Sequence, residues 1–344
     1  MNLVIVGFGV VGQGLVEILR DKAPVLEAQF GFRPRIVAVA TRTRGTLFHP
    51  GGLKPDHLLA AISAGSLDHY PNEPGLVRGL PALTLIRESN ANVLVEASIT
   101  DLKTAQPALD YCHAALETEK HVVLANKGPV ALAYNELQAK ARENGRLLRF
   151  EATVMAGTPS IRLALDALAG CTIQEARGIL NGTTNYMLTQ MESGMTYADA
   201  LAQAQALGYA EADPTADVDG WDGASKGMIL AAMLFGKSLT LDSMEVRGIS
   251  SLTPDDIEAA RAAGERWKLI ARVTPDGATV GPVRLPVDNP LANVSGSMNA
   301  ITYTTDLLGD VTLVGAGAGR LQTGFGLLSD LLEIHAMARG ISAH

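Results

Sequence analysis

"NLVIVGFGVVGQGLVEIL", residues 2–19, is the stretch on which the fold turns. It opens as a short apolar run with β-branched residues, the pattern of a buried strand. Gly7, Gly9 and Gly12 then follow in GxGxxG spacing, and a helical pattern runs from Val11 to about Glu27. The first glycine permits a tight turn and the second lets the backbone approach a pyrophosphate. The third allows close strand–helix packing, while the helix N-terminus turns partial positive charge toward the phosphates. In strand–turn–helix context the loop reads as a dinucleotide site, with Gly7, Phe8, Gly9, Val10, Val11 and Gly12 as its contacts.

Outward from this loop, short Val/Ile/Leu runs recur without alternation: "RIVAVATR", "NVLVEAS", "KHVVLANK" and "RLLRFEA". Strands of this kind are buried on both faces. Helical segments such as "LKTAQPALDYCHAALETE" and "YNELQAKARENG" lie between them, so the expectation is an α/β domain, a Rossmann-type doubly wound parallel sheet. Residues 44–75, rich in Pro, Gly and His, interrupt the rhythm and suggest an insert on the sheet edge or over the cofactor. From about Thr158 the texture changes to helices with strand candidates "QEARGILNG", "KLIARVTPDGATVGPVRL" and "ITYTTDLLGDVTLVGAG", a second α+β domain. "RLQTGFGLLSDLLEIHAMAR" reads as a C-terminal amphipathic helix returning to the first domain. The expected division is 1–132 with 315–344 for the dinucleotide-binding domain, and 133–314 for a catalytic and dimerisation domain.

Composition narrows the function. The chain has 344 residues, 47% apolar and 19% charged, with net charge −8. An acidic balance argues against a nucleic-acid partner or an anionic membrane surface. Cys112 and Cys171 form no CxxC pair, so a reducing compartment is the natural reading. The apolar N-terminus lacks a basic n-region and a cleavage site, and no apolar run is long enough to span a bilayer. A cytoplasmic location is expected.

The second strand ends "AVATRTRG". Where NAD sites place an acid for the ribose hydroxyls, this chain has Thr41, Arg42 and Arg44, which favours a 2′-phosphate and hence NADP(H). Ser98 and Thr100, and then Lys127, follow the next two strands at the carboxyl edge of the sheet, where ligands bind in doubly wound folds. Lys127 is expected to point into a crevice between the domains. The loop "VGAGAGR" (314–320) lacks the GxGxxG spacing and is expected to return the chain beside the nicotinamide, with Gly319 as a contact.

A second stretch carries the chemistry: "LGYAEADPTADVDGWDGASK", residues 207–226, gathers Glu211, Asp213, Asp217, Asp219 and Asp222 before Lys226. A calcium loop starting at Thr215 puts Lys226 at position 12, where a bidentate glutamate is required, so that reading fails. Asp222 and Lys226 are four apart and share a helix face. The apolar "GMILAAMLFG" that follows implies a largely buried helix, with Asp222 or Asp219 as its cap. A lysine there, at the edge of a core among carboxylates, suits proton transfer better than a solvated turn does.

These motifs together resemble homoserine dehydrogenase. The likeness rests on "GFGVVGQG" (7–14), "LANKGPVA" (124–131), "FEATVMAGTPSI" (150–161), "GILNGTTNYML" (178–188) and the acidic stretch (207–226), in that order along nearly the whole chain. It implies interconversion of L-homoserine and L-aspartate 4-semialdehyde with NAD(P), on the route to threonine and methionine, by a homodimer joined through the second domain. It assigns Lys226 as general acid/base supported by Asp222, and Lys127 near nicotinamide and substrate. Gly182, Thr183, Tyr209, Glu211 and Asp217 are the implied homoserine contacts. Glu151, Val154, Ala156 and Thr158 are the implied ligands of a monovalent cation, typically sodium, largely through backbone carbonyls. Some members carry a C-terminal regulatory domain or a fused aspartate kinase. Here the chain ends at His344, soon after the last predicted helix, and no such threonine site is expected. Two alternatives stand beside this reading: a dehydrogenase forming a thioester on cysteine, such as aspartate-semialdehyde dehydrogenase, and a non-catalytic dinucleotide sensor.

Overall fold

A computed structural model of the chain describes residues 1–340. It divides into two compact units, Met1–Gly157 with Gly319–His344, and Thr158–Ala318.

In the first unit the strands are β1 (Asn2–Val6), β2 (Arg35–Ala40), β3 (Thr46–Leu53), β4 (Val77–Arg78), β5 (Val93–Glu96), β6 (His121–Leu124) and β7 (Leu148–Arg149). They form one sheet in the order β4-β3-β2-β1-β5-β6-β7. The five strands from β2 to β7 in that order run parallel, while β3 and β4 add antiparallel on one edge. The insert at 44–75 therefore builds the sheet edge. Leu3, Val4, Ile5, Val93, Leu94, Val95, Val122, Val123 and Leu124 are fully buried, as apolar runs covered on both faces must be. The helices are α1 (Val10–Asp21), α2 (Ala23–Phe30), α3 (Pro55–Ser63), α4 (Ala82–Glu88), α5 (Ala108–Glu117) and α6 (Lys127–Glu143). Strand order reverses at β1, so the loop between β1 and α1 sits at the switch point, where such sheets bind ligands.

The unit boundaries differ from the expected 132/133 and 314/315. α6 has a kink at Ala133 (φ −137°), yet it continues to Glu143 and leads into β7, which pairs with β6. The first sheet thus needs residues beyond 132. A cut at 314/315 would split an eight-residue strand, Gly309–Ala316, of the second unit.

That second unit contains α7 (Ser160–Arg162), β8 (Ile173–Ile179), α8 (Gly182–Glu192), α9 (Tyr197–Ala206), α10 (Thr215–Val218), α11 (Trp221–Phe235), β9 (Glu245–Val246), α12 (Pro254–Ala262), β10 (Glu265–Thr274), β11 (Gly277–Pro286), β12 (Met298–Thr305) and β13 (Gly309–Ala316). Its sheet has the order β13-β12-β8-β10-β11-β9, mostly antiparallel. α11 is buried without a break from Gly223 to Met233, as its apolar sequence requires. Neither Asp219 nor Asp222 caps it. Gly220 occupies the N-cap with φ +89°, and no side chain closes the helix start, which leaves the Asp222 carboxylate for Lys226.

The chain then returns to the first unit as α13 (Arg320–Ala338). α13 crosses α1 at glycines. A Cβ on Gly14 would lie 2.2 Å from the Arg320 carbonyl oxygen, and one on Gly324 would lie 2.7 Å from the Gly14 carbonyl carbon. Asp330, buried on α13, accepts the Glu151 N–H at 3.0 Å, and Glu333 pairs with Arg149 at 2.6 Å.

Candidate active site

The glycine loop is built for close approach. Gly7 has φ +93°, and a Cβ there would fall 2.3 Å from the Ala97 carbonyl oxygen. A Cβ on Gly12 would fall 2.4 Å from the Gly7 carbonyl oxygen, whereas around Gly9 there is open space. No side chain caps α1, so its first N–H groups are left for an anion. Phe8 is buried and Val10 is 61% exposed at the helix start, with Val11 half-buried behind it.

At the end of β2 the three candidate residues separate. Thr41 is a turn residue: its hydroxyl donates to the Gly45 carbonyl at 2.8 Å and accepts the Arg44 N–H at 2.8 Å. Arg44 donates to the Phe8 carbonyl at 3.1 Å, and so braces the glycine loop. Arg42 is exposed. Beyond β5 and β6, the Lys127 N–H donates to the Thr100 hydroxyl at 3.3 Å, and the Asn126 amide donates to the Ser98 hydroxyl at 3.3 Å. Gly319 (φ +135°) opens α13.

In the second unit, α8 and α11 bring a lysine and two carboxylates together. The Lys226 ammonium, 6% exposed, donates to the Leu180 carbonyl at 2.5 Å and to the Asp222 carboxylate at 2.8 Å. Asn181 follows β8 as the N-cap of α8, its Oδ1 accepting the Thr184 N–H at 2.9 Å. Its Nδ2 donates to Asp217 at 2.7 Å and to Asp222 at 2.9 Å. One side-chain amide therefore caps a helix and holds two carboxylates apart. The Asp217 carboxyl is pushed above its ordinary range, first by burial and then by the Asp222 carboxylate; Asn181, Thr183 and Lys226 pull the other way. With two carboxylates and one ammonium, the group carries about one net negative charge when ionised, which suits a cationic ligand.

The other candidates stand around this group. The Thr183 hydroxyl donates to the Tyr209 carbonyl at 2.7 Å, and Gly182 begins α8. Tyr209 is 44% exposed with its ring against Tyr186, and the Glu211 side chain is exposed on the same loop. Asp213 accepts from the Thr215 N–H and hydroxyl, a turn role. Sequence reasoning missed the grip of Asn181 on Asp217 and Asp222, and missed the Leu180 carbonyl altogether. Those partners lie 36 to 46 residues away in sequence, and only the asparagine itself signals them.

Among the described residues no cluster of His, Cys, Asp and Glu could hold a metal ion. Glu151, Val154 and Ala156 belong to a buried irregular segment in which Ala156 has φ +51°. Main-chain carbonyls in such a segment are oxygen donors of the kind a monovalent cation takes, but only the resemblance points to an ion there. Thr158 opens the second unit, and its hydroxyl donates to the Ala316 carbonyl at 2.9 Å. A nucleophilic role for Cys112 finds no support. Cys112 is fully buried on α5 and its thiol is pushed well above the usual range. A cavity of about 430 Å³ bounded by Met191, Glu192, Met195, Ile257 and Arg261 includes none of the candidate residues.

Comparison with known proteins agrees with this geometry. Residues 7–151 match the family model for the homoserine dehydrogenase NAD-binding domain, and residues 159–332 match that for homoserine dehydrogenase. An NAD(+)-dependent homoserine dehydrogenase of Pseudomonas canavaninivorans is 44% identical over 100% of this chain and 98% of its own length. A homoserine dehydrogenase of Methanocaldococcus jannaschii is 40% identical over 97% of this chain and 98% of its own. The solved structure of a hyperthermophilic archaeal homoserine dehydrogenase in complex with NADPH superposes with a TM-score of 0.82, at 32% identity, covering 98% of both chains. With the dinucleotide loop in one unit, the lysine–carboxylate group in the other and full-length likeness across both, this chain belongs to the homoserine dehydrogenase family, oxidoreductases that use a nicotinamide dinucleotide.

Proposed function

We propose that the chain interconverts L-homoserine and L-aspartate 4-semialdehyde, with reduction of the semialdehyde as the working direction, and that Lys226 moves the proton. The observation that carries this is the buried Lys226 ammonium, held by the Leu180 carbonyl and Asp222. An ammonium has three N–H donors. Two are taken by those partners, and the third is the one for the substrate oxygen. Hydride passes between nicotinamide C4 and the substrate carbon. In reduction, the ammonium donates its proton to the developing alkoxide; in oxidation, the neutral amine accepts it. Asp222 orients the amine. Asp217 and Glu211 receive the substrate ammonium, Gly182, Thr183 and Tyr209 line the substrate, and Lys127 serves the reacting oxygen or the nicotinamide.

Homoserine-dependent reduction of NADP⁺ or NAD⁺ tests the reading. Wild type is expected to turn over, and Lys226→Ala is expected to lose about a hundred- to ten-thousandfold in kcat. No turnover by wild type with either dinucleotide defeats the assignment of substrate, whereas a near-normal Lys226→Ala enzyme defeats only the role of the lysine.

NADP(H) is the preferred cofactor in this reading. No acid stands at the end of β2 to repel a 2′-phosphate, and Arg42 is exposed beside it. Arg44 contributes indirectly, since it binds the Phe8 carbonyl. The NAD(+)-dependent relative makes this the point to measure. Arg42→Ala is expected to cut kcat/KM for NADP⁺ about tenfold while sparing NAD⁺. Equal use of both dinucleotides by wild type would remove the preference.

A further inference from the structure

Glu96 takes no part in the chemistry above, yet it is a fully buried carboxyl at the end of β5, immediately before the candidate cofactor residues. Its Oε1 accepts the Ser98 N–H at 3.2 Å, and the Ser98 hydroxyl and Asn126 amide also act on it. Its Oε2 is buried with no hydrogen-bond partner among the described residues. The same neighbours hold the loops that follow. Asn126 donates to the Ser98 hydroxyl at 3.3 Å and to the Ile99 carbonyl at 3.2 Å, and it accepts the Gly128 N–H at 2.9 Å to start α6. One residue on, the Lys127 N–H binds the Thr100 hydroxyl at 3.3 Å. The glycine loop presses on this ledge, since a Cβ on Gly7 would lie 2.4 Å from the Ser98 nitrogen.

A carboxyl in such a place costs more than an apolar side chain would, so its hydrogen bonds need a use. We propose that Glu96 is the positioning residue of the dinucleotide site: its carboxyl sets Ser98 and Asn126, and through them Thr100 and Lys127. This rests on the reading that those residues face the cofactor.

The arrangement is pH-sensitive. Burial pushes the Glu96 carboxyl up to about 7, with the Ser98 and Asn126 hydrogen bonds opposing. On α5, the titratable groups that feel it are Tyr111 and Cys112, neither of them a cation. Ionisation therefore places an uncompensated negative charge beneath the loops that hold a polyanion. Dinucleotide affinity should fall as pH rises through about 7. The stability sign agrees: the folded state keeps its proton longer than the unfolded chain, so stability declines as pH rises from about 4.5 through about 7.

The test is NADH binding by intrinsic cofactor fluorescence from about pH 6 to about pH 9, because NADH lacks a phosphate monoester that titrates there. Wild-type Kd is expected to rise several-fold with an inflection near 7. Glu96→Gln keeps the shape without the charge. It should bind at the wild-type low-pH affinity with no inflection, while Glu96→Ala, which also loses the Ser98 contact, should bind about tenfold more weakly. The homoserine KM at saturating dinucleotide should be unmoved in Glu96→Gln. If Glu96→Gln keeps the wild-type inflection, or Glu96→Ala binds NADH as wild type does, the positioning role is overturned while the cofactor site stands. If wild type binds no dinucleotide, the reading of the site falls, and this role with it.

Discussion

Asp217 shows what one half-buried carboxylate does in this site. Burial and the Asp222 charge both favour its protonated form, so it titrates above the ordinary aspartate range. The folded state therefore holds this proton more tightly than the unfolded chain, and stability from this group falls as pH rises through its folded pKa. In the proposed reading, the substrate ammonium reverses the balance, because it pairs with the ionised form. Homoserine KM should accordingly rise on acidification, starting at a higher pH than a solvent-exposed aspartate would give. Asp217→Asn should raise KM about ten- to hundredfold and remove that inflection, with a smaller effect on kcat. Initial-rate pH profiles of both proteins decide it; an unchanged inflection in the variant would assign it elsewhere. At this scale the sequence was informative about identity and silent about contact. The spacing of Asp222 and Lys226 announced a shared helix face, which the 2.8 Å pair realises. Nothing local announced that Asn181 would bridge Asp217 and Asp222, since a side-chain amide can satisfy a cap and distant carboxylates at once.

At the scale of elements, the apolar runs foretold strands because parallel strands bury both faces, and β1, β2, β5, β6 and β7 all came from such runs. α11 was legible for the same reason, an unbroken apolar helix that a surface position would not tolerate. Its start was less so. Carboxylates at 219 and 222 suggested a cap, but Gly220 takes the N-cap in a left-handed conformation, and Asp222 turns to the lysine. Two acceptable uses competed for one side chain, and a buried ammonium gains more from a carboxylate than an exposed helix end does. The run "PDDIEAARAAGERWKLIARV" looks helical although its end, "KLIARV", is also a strand candidate; α12 stops at Ala262, and β10 begins at Glu265 after Gly264 with φ +70°. Pairing of β10 with β11 over ten residues outweighs the helical propensity of its first turn.

For the whole molecule, the alternation of strand and helix foretold two domains of different texture, while the boundaries moved because strand pairing decides membership. β7 joins the first sheet through β6, a contact across 26 residues that no local composition reports. Each unit has its own sheet and its own buried apolar cluster, the first running through Leu3, Ile5, Leu15, Val95 and Leu327, the second through Ile179, Ile270 and Ala300. Damage should then stay within the unit that receives it. Gly12→Val is the sharp case. Its Cβ would sit 2.4 Å from the Gly7 carbonyl oxygen, a backbone atom that cannot step aside without opening the turn. The expected result is loss of NADH binding, with a lowered Tm for the first unit. Amide exchange in α8 and α11 should remain at the wild-type level, because their hydrogen bonds and core lie in the second unit. Lys226→Ala should give the mirror result, normal NADH affinity with kcat down about a hundred- to ten-thousandfold. Hydrogen exchange resolved by peptide, together with an NADH titration, separates the two variants. Faster exchange in α8 and α11 of Gly12→Val would show that the two cores open as one cooperative body, and the division of labour would then be chemical without being energetic.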